Sequence, residues 1–181
     1  MEKYQVRAVF DDRTITVYQA YSPAIADAAL AAGTFVPPFK RERMTWIKPS
    51  FLWMMYRCGY ATKPGQERVL AIRITREGFQ WALDHSCPSS PGDLDHAEWK
   101  RRLRTSPVRV QWDPERGLKH QALPHRSLQV GLSGEAVDHY VDRWIVDLAD
   151  VTSLARSIGE AVRAGDLAAA EAALPPERPY P

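Results

Sequence analysis

Strand and helix signals follow one another irregularly along this chain of 181 residues, and this order limits the possible folds more than any single motif. Residues 4–10 and 14–21 are rich in β-branched and aromatic side chains, and the polar turn Asp11-Asp12-Arg13 separates them, so they predict a hairpin. Further strands are predicted at 69–75, 108–112, 126–132 and 143–148. Because no strict β-α-β alternation connects the strands, the sequence predicts an α+β fold: one domain, residues 1–181, with a mainly antiparallel sheet flanked by helices.

Two helices have clear start and stop signals. Ser22 is a suitable N-cap, Pro23 suits a first helical position, and Gly33 suits a left-handed end, which together predict a helix over 23–32. Pro37-Pro38 then interrupts the chain up to about Ile47, and a second helix is predicted over 50–58. The remaining predicted helices are 77–84, 94–104, 151–164 and 166–174.

The segment from Pro37 to Tyr60 interleaves five cationic side chains with six aromatic rings and contains a single carboxylate, Glu42. Guanidinium and ammonium groups bind anionic oxygens, and aromatic rings stack on planar groups. This combination predicts a nucleotide-like or nucleic-acid ligand. Its key candidates are Arg43, Trp46, Lys48 and Trp53. The alternative is that Trp46 and Trp53 are core residues and that the cations only solvate a loop.

The distribution of charge and the cysteine content indicate an uneven surface charge and a cellular compartment. Residues 37–76 carry nine Lys/Arg against two Asp/Glu, whereas residues 133–181 carry four against nine, so one end should be electropositive and the other electronegative. Cys58 and Cys87 are too few for a disulfide framework. With no signal-peptide pattern and no long apolar run, we expect a cytoplasmic protein that does not span a membrane.

Alternation along the strand at 14–21 places Gln19 on the same face as Val17 and Tyr21. A buried amide without partners costs about 1–3 kcal/mol, so either the protein or a ligand must satisfy Gln19. Farther along, Arg126 begins a strand that leads through a glycine-rich turn to Glu135. Metal-ligand spacings, nucleophile elbows and glycine-rich phosphate loops are all missing from the sequence, so no metal site is predicted.

Several segments resemble the bacterial family known as domain of unknown function 4291. The resemblance rests on TVYQAYSPAIADAALAAG, FVPPFKRERMTWIKPSFLWMMYR, VLAIRIT, PVRVQWDPER, RSLQVGLSGEAV and WIVDLADVT, and it covers nearly the whole chain. The family name implies no activity.

The run from Val17 to Ser22, with the helix and glycine after it, also resembles the first motif of the ADP-ribosyltransferase superfamily. That resemblance implies an ADP-ribosyltransferase-like fold and NAD as a possible cofactor. Tyr18 would match the tyrosine of the superfamily and Gln19 its histidine, which hold the ribose and nicotinamide of NAD. Ala20 and Tyr21 would match its glycine and threonine.

The second superfamily motif would fall near Met44 to Trp53, with Thr45 and Trp46 as loose counterparts. The third supplies a glutamate, but this chain has Gln129 in the corresponding strand, and the nearest carboxylate is Glu135. A neutral amide stabilises the developing cation of the reaction less well, so transfer activity is doubtful. Gln19, Gln129 and Glu135 are the only catalytic candidates.

Three functional hypotheses therefore remain open. The first is a nucleotide or nucleic-acid binding protein with a degenerate ADP-ribosyltransferase-like fold, whose site includes Tyr18, Gln19, Tyr21 and Arg126 with the cation–aromatic segment. The second is an active NAD-dependent ADP-ribosyltransferase that acts on nucleic acid or protein. The third is a non-enzymatic interaction module that docks a protein partner through the acidic C-terminal helices.

Overall fold

The computed structural model describes residues 1–181 and has an α+β architecture with seven helices and three sheets. The strands are β1 (Arg7–Ala8), β2 (Thr14–Tyr21), β3 (Thr45–Ile47), β4 (Arg68–Thr75), β5 (Ser86–Pro88), β6 (Val108–Arg116), β7 (Ala122–Leu132), β8 (Ile145–Asp150) and β9 (Arg178–Pro179). The helices are α1 (Pro23–Ala32), α2 (Phe51–Cys58), α3 (Arg76–Asp84), α4 (His96–Thr105), α5 (Glu135–His139), α6 (Thr152–Arg163) and α7 (Leu167–Ala172).

The pairing of the strands is mainly antiparallel, as predicted. One sheet has the order β2-β4-β8, and a second has the order β3-β7-β6-β5. The β5–β6 pair is parallel because the crossover through α4 returns the chain in the same direction. A small third sheet pairs β1 with β9, so residues near the two ends of the chain lie side by side.

The two larger sheets meet along β2 and β3. The backbone N–H of Tyr18 donates to the carbonyl oxygen of Lys48 at 2.8 Å, and this is the one bridge between the two strands. Below this seam, β2 and β3 diverge, and their side chains leave space between them. The candidate site lies there.

Two hydrophobic cores use opposite faces of β2. Ile15 and Val17 belong to the larger core, which also takes Ile47 and Val130 from the second sheet. Tyr18 belongs to the smaller core, where α2, α6 and α7 cover the other face of the first sheet. The alternation of side chains along β2 was therefore predicted correctly from the sequence. As predicted, Gln19 lies on the same face as Ile15 and Val17, which is the face toward the larger core.

The helix signals were also informative. The Ser50 hydroxyl accepts the backbone N–H of Trp53 at 3.1 Å and caps α2, and Gly59 ends that helix in the left-handed conformation. Helix α1 has the predicted bounds, but the Ser22 side chain makes no capping hydrogen bond. No helix of the chain combines the length and the apolar character that crossing a bilayer requires.

The predicted hairpin at 4–21 was largely wrong. Only a turn and a single bridge between Phe10 and Ile15 join its two arms, because the first arm pairs instead with β9. The strand predicted at 143–148 starts later, since a π-helical turn spans Tyr140–Trp144. The strands predicted at 108–112 and 126–132 are each four residues longer than expected, and they form a long antiparallel pair.

Candidate functional site

Two adjoining cavities lie at the divergence of β2 and β3. The first has a volume of about 300 Å³ and is reached past Gly65 and Gln66; the second has a volume of about 250 Å³ and lies beside the double proline. Tyr21, Met44 and Thr45 line both cavities and thus form the wall between them. For clarity, we call them the lysine cavity and the proline cavity.

Gln19 contributes to the wall of the lysine cavity, but its amide is already satisfied by the protein. The Nε2 group lies 2.6 Å from the Thr45 hydroxyl, 3.0 Å from the Tyr21 hydroxyl and 3.1 Å from the Trp46 carbonyl oxygen. The Oε1 atom accepts a hydrogen bond from the Tyr140 hydroxyl at 2.6 Å. Gln19 therefore positions Tyr21 and Thr45 in the wall of the site, and it holds the two sheets in register.

Lys48 is the most unusual side chain in the lysine cavity. It is only 7% exposed, and its Nζ donates one hydrogen bond, to the Trp46 carbonyl oxygen at 3.0 Å. No carboxylate pairs with it. Burial, reinforced by the nearby positive charge of Arg57, lowers the pKa of Lys48 to about 7, so close to half of the molecules carry a neutral amine at neutral pH.

Further cations line the two cavities without carboxylate partners. Arg57 lines the lysine cavity, and Lys40 and Arg43 line the proline cavity; all three are exposed and form no ion pair. Neither cavity is lined by an Asp or Glu. Arg41 differs from these cations, because Asp138 and Asp142 bind it at 3.0 and 2.8 Å.

The aromatic side chains divide into two groups. Trp46 is half-buried in the lysine cavity and lies across Gly131 of β7, where an added Cβ would be 2.9 Å from the indole ring. Trp53 is buried and is not part of either cavity lining, although Lys48 Nζ lies 5.8 Å from the centre of its ring. The indole N–H of Trp53 has no hydrogen-bond partner. The core interpretation thus applies to Trp53 and not to Trp46.

Other predicted residues lie away from the cavities. Tyr18 is buried in the smaller core, edge-to-face with Phe51. Arg126 lies opposite Pro114 on β7, four positions from Val130, a separation of about 13 Å along a strand. Tyr18 thus contacts Lys48 through its backbone only, and neither Tyr18 nor Arg126 lines either cavity.

The two residues suggested for the third transferase motif also lie apart from the site. Gln129 donates to the Asp113 carboxylate at 2.7 Å, within a polar cluster that includes Gln111. Glu135 is exposed at the start of α5, with its carboxylate 3.9 Å from the His139 ring. Neither one lines the lysine cavity or the proline cavity.

Sequence reasoning missed three contributors to the site. Thr45 was noted only as a loose counterpart, Arg57 was not separated from the other cations, and Tyr140 was not singled out. Arg57 could have been singled out as the one charged residue of the otherwise uncharged segment 51–58, and it is exposed in the last turn of α2. Tyr140 is 121 residues from Gln19, and no local pattern indicates that contact.

One known protein family matches almost the whole chain, including the residues of both cavities. The chain matches the family described as domain of unknown function DUF4291 over residues 5–180. The chain belongs to this family. No curated protein matches the chain. The DUF4291 match covers both cavities and every residue discussed above, but its description includes no activity.

The contacts with NAD that the ADP-ribosyltransferase resemblance implies do not fit these residues. Tyr18 faces the smaller core, and the amide of Gln19 is engaged inside the protein, so neither is free to hold a ribose or a nicotinamide. The charged side chains that line the two cavities are all cationic. No cluster of His, Cys, Asp and Glu side chains is arranged to hold a metal ion.

Proposed function

We propose that the lysine cavity and the proline cavity together bind a nucleotide, either free or as a unit of a nucleic acid. The observation that carries this proposal is the charge of the lining: Lys40, Arg43, Lys48 and Arg57 contribute four cationic side chains, and no carboxylate opposes them. Arg41 and Arg68 differ from these four, because carboxylates pair with them. An anionic ligand would supply the missing charge.

The shape of the lining favours a phosphate joined to a planar group over a simple anion. Trp46 is one of the residues that line the lysine cavity, and Tyr21 and Phe39 are two of those that line the proline cavity. Stacking of a base on such a ring contributes about 1–3 kcal/mol. The apolar Met44 and Ile25 are suited to the faces of a base rather than to a phosphate.

The Gln19 network gives this site a rigid back wall. Its hydrogen bonds fix the Tyr21 and Thr45 hydroxyls before any ligand arrives, so the ligand would not have to order them. Burial raises the pKa of Tyr21 to about 12, which keeps its hydroxyl neutral next to an incoming phosphate. ADP-ribosyl transfer receives no support from this arrangement, because the cavities lack the carboxylate that the reaction uses.

Thermal unfolding in the presence of nucleotides tests this proposal. A ligand at one hundred times its dissociation constant adds about 2.7 kcal/mol of stability, which raises the melting temperature of a domain of this size by about 5–10 °C. Mononucleotides and short single-stranded oligonucleotides form the two arms of the panel, and the arm with the larger shift identifies the form that binds. A melting temperature unchanged by both arms at millimolar concentration contradicts the proposal.

Charge-removing variants locate the binding site. Arg43→Gln and Arg57→Gln should each weaken binding about tenfold, a loss of about 1.4 kcal/mol. Arg104→Gln is the matched control, because Arg104 is an exposed arginine on α4 that lines neither cavity. If the control weakens binding as much as the two site variants, the ligand is responding to overall charge and not to these cavities.

A further inference from the structure

Lys48 has a feature that anion binding alone does not require. A lysine that serves only to attract phosphate functions best when it is exposed to solvent, as Lys40 is in the neighbouring cavity. Lys48 is instead almost fully buried, donates one hydrogen bond and has no ion-pair partner. Desolvation beside another cation is how proteins turn a lysine into a nucleophile, because both effects disfavour the ammonium form.

Inside the protein, no charged proton acceptor lies beside the amine of Lys48. From α2, Arg57 and the thiol of Cys58 lie near it, and burial keeps the pKa of Cys58 above its ordinary value. From the same helix, the Trp53 ring lies 5.8 Å away. The lysine cavity adds the neutral amides of Gln19 and Gln66 and the neutral side chains of Tyr21 and Thr45. Lys48 therefore lines this cavity with one guanidinium, that of Arg57, and no carboxylate beside it.

We propose that Lys48 forms an imine with the aldehyde of a phosphorylated sugar that occupies the lysine cavity. This inference rests on the phosphate-binding part of the proposed function, and its ligand is a sugar phosphate with a free aldehyde, a group that an intact nucleotide lacks. Arg57 lies in the same cavity, where it can hold the phosphate while the aldehyde reaches Nζ. Trp46 is in the same lining and covers the apolar side of the sugar.

The reaction balances without any oxidant or reductant. The lone pair of Nζ forms a C–N bond with the carbonyl carbon, and the C=O π pair becomes the alkoxide, which takes a proton to give a carbinolamine. Loss of the hydroxyl together with the N–H proton as water then gives the C=N bond. The products are the imine and one water molecule, and hydrolysis reverses the step.

Two sources offer this chemistry, namely a free aldose phosphate and an abasic site in a nucleic acid strand. The experiment therefore uses two probes, glyceraldehyde phosphate and a short single strand with one abasic site, each trapped with sodium cyanoborohydride at about pH 7. Mass spectrometry of the intact chain and of its peptides then gives the rate and position of labelling. Unphosphorylated glyceraldehyde is the third arm.

We expect Lys48 to be labelled at least tenfold faster than the exposed Lys40, because an ordinary lysine is neutral in only about one molecule in a few thousand at pH 7. The probe with the faster rate identifies the source of the aldehyde. Lys48→Met should abolish the fast labelling, whereas Lys100→Met, at an exposed lysine of α4 that lines neither cavity, should leave it unchanged. The Lys48→Met chain remains a folded reference, since removing an uncompensated buried amine does not remove packing.

Labelling in proportion to exposure, or fast labelling that persists in Lys48→Met, overturns the inference. Equal rates with glyceraldehyde and its phosphate also overturn it, because they show that the anion site plays no part. These failures are separate from failure of the proposed function: nucleotides can still raise the melting temperature of a chain in which Lys48 is not labelled. If nucleotides also slow the labelling of Lys48, the two sites are the same.

Discussion

Replacing Lys48 by methionine should stabilise the protein, by an amount that depends on pH in a defined way. Burial lowers the pKa of Lys48 from the ordinary 10.5 to about 7 in the folded state. The unfolded chain therefore binds more protons than the folded chain between pH 7 and 10.5, so the free energy of unfolding of the wild type rises with pH over that window. The slope is about 1.4 kcal/mol per pH unit.

The whole window corresponds to about 5 kcal/mol, and this is the maximum that methionine can recover below pH 7. Loss of the hydrogen bond from Nζ to the Trp46 carbonyl oxygen, at 3.0 Å, offsets about 1 kcal/mol of the gain. Methionine is unbranched and similar in length, so it should fill the space of the lysine stem. We therefore expect Lys48→Met to be more stable by about 4 kcal/mol near pH 6 and less stable by about 1 kcal/mol above pH 10.5, where only the loss of the hydrogen bond remains.

Urea unfolding of both chains at several pH values measures this difference directly, and Lys40→Met provides the control for loss of an exposed amine. The comparison of variants cancels the other groups that titrate in the same range. A stability difference that does not change with pH would refute the assignment of Lys48 as a desolvated, uncompensated amine. So would a methionine variant that is less stable than the wild type near pH 6.

Three further predictions concern the rest of the structure. Burial raises the pKa of Glu177 to about 8, so the stability that this carboxyl group contributes is present below pH 4.5 and is lost as the pH rises through 8. In urea, Glu177→Gln should therefore be more stable than the wild type above pH 8 and equally stable near pH 4, and the reverse order contradicts this. Tyr140→Phe leaves the buried Gln19 Oε1 without its donor and should cost about 1–3 kcal/mol of unfolding free energy, whereas a loss below about 0.5 kcal/mol would show that the bond is dispensable. Gly131→Ala forces the Trp46 ring away from β7 and should change tryptophan fluorescence and weaken nucleotide binding; unchanged affinity argues against a stacking role for Trp46.

Much of the local structure was readable from the sequence because it depends on neighbouring residues. The alternation of Val17, Gln19 and Tyr21 gave the faces of β2, and Pro49 with Ser50 gave the start of α2. The cation–aromatic segment contributes Trp46 and Lys48 to the lining that also includes Gln19. The pairing of β1 with β9 was not readable, since it joins residues about 170 positions apart and no hydrophobic pattern specifies a partner at that distance.

The properties of Lys48 show where sequence reasoning stops. Its neighbours Ile47 and Pro49 are apolar, but a lysine between such residues is usually solvated, so the sequence predicted only a cation. Its burial results from the meeting of β2 and β3 and from the position of α2 across them. The same is true of Gln19, where the three groups that satisfy its amide nitrogen come from two strands of different sheets.

The single backbone bridge between Tyr18 and Lys48 gives the molecule a hinge line. Each sheet has its own ladder of hydrogen bonds, but near the cavities only this bridge, the Gln19 side chain and the contact between the Tyr21 and Thr45 hydroxyls join one sheet to the other by hydrogen bonds. A ligand that contacts both Tyr21 in β2 and Trp46 in β3 would link the two sheets across that line. Occupancy should then slow deuterium uptake at the Tyr18 amide more than at amides inside either ladder.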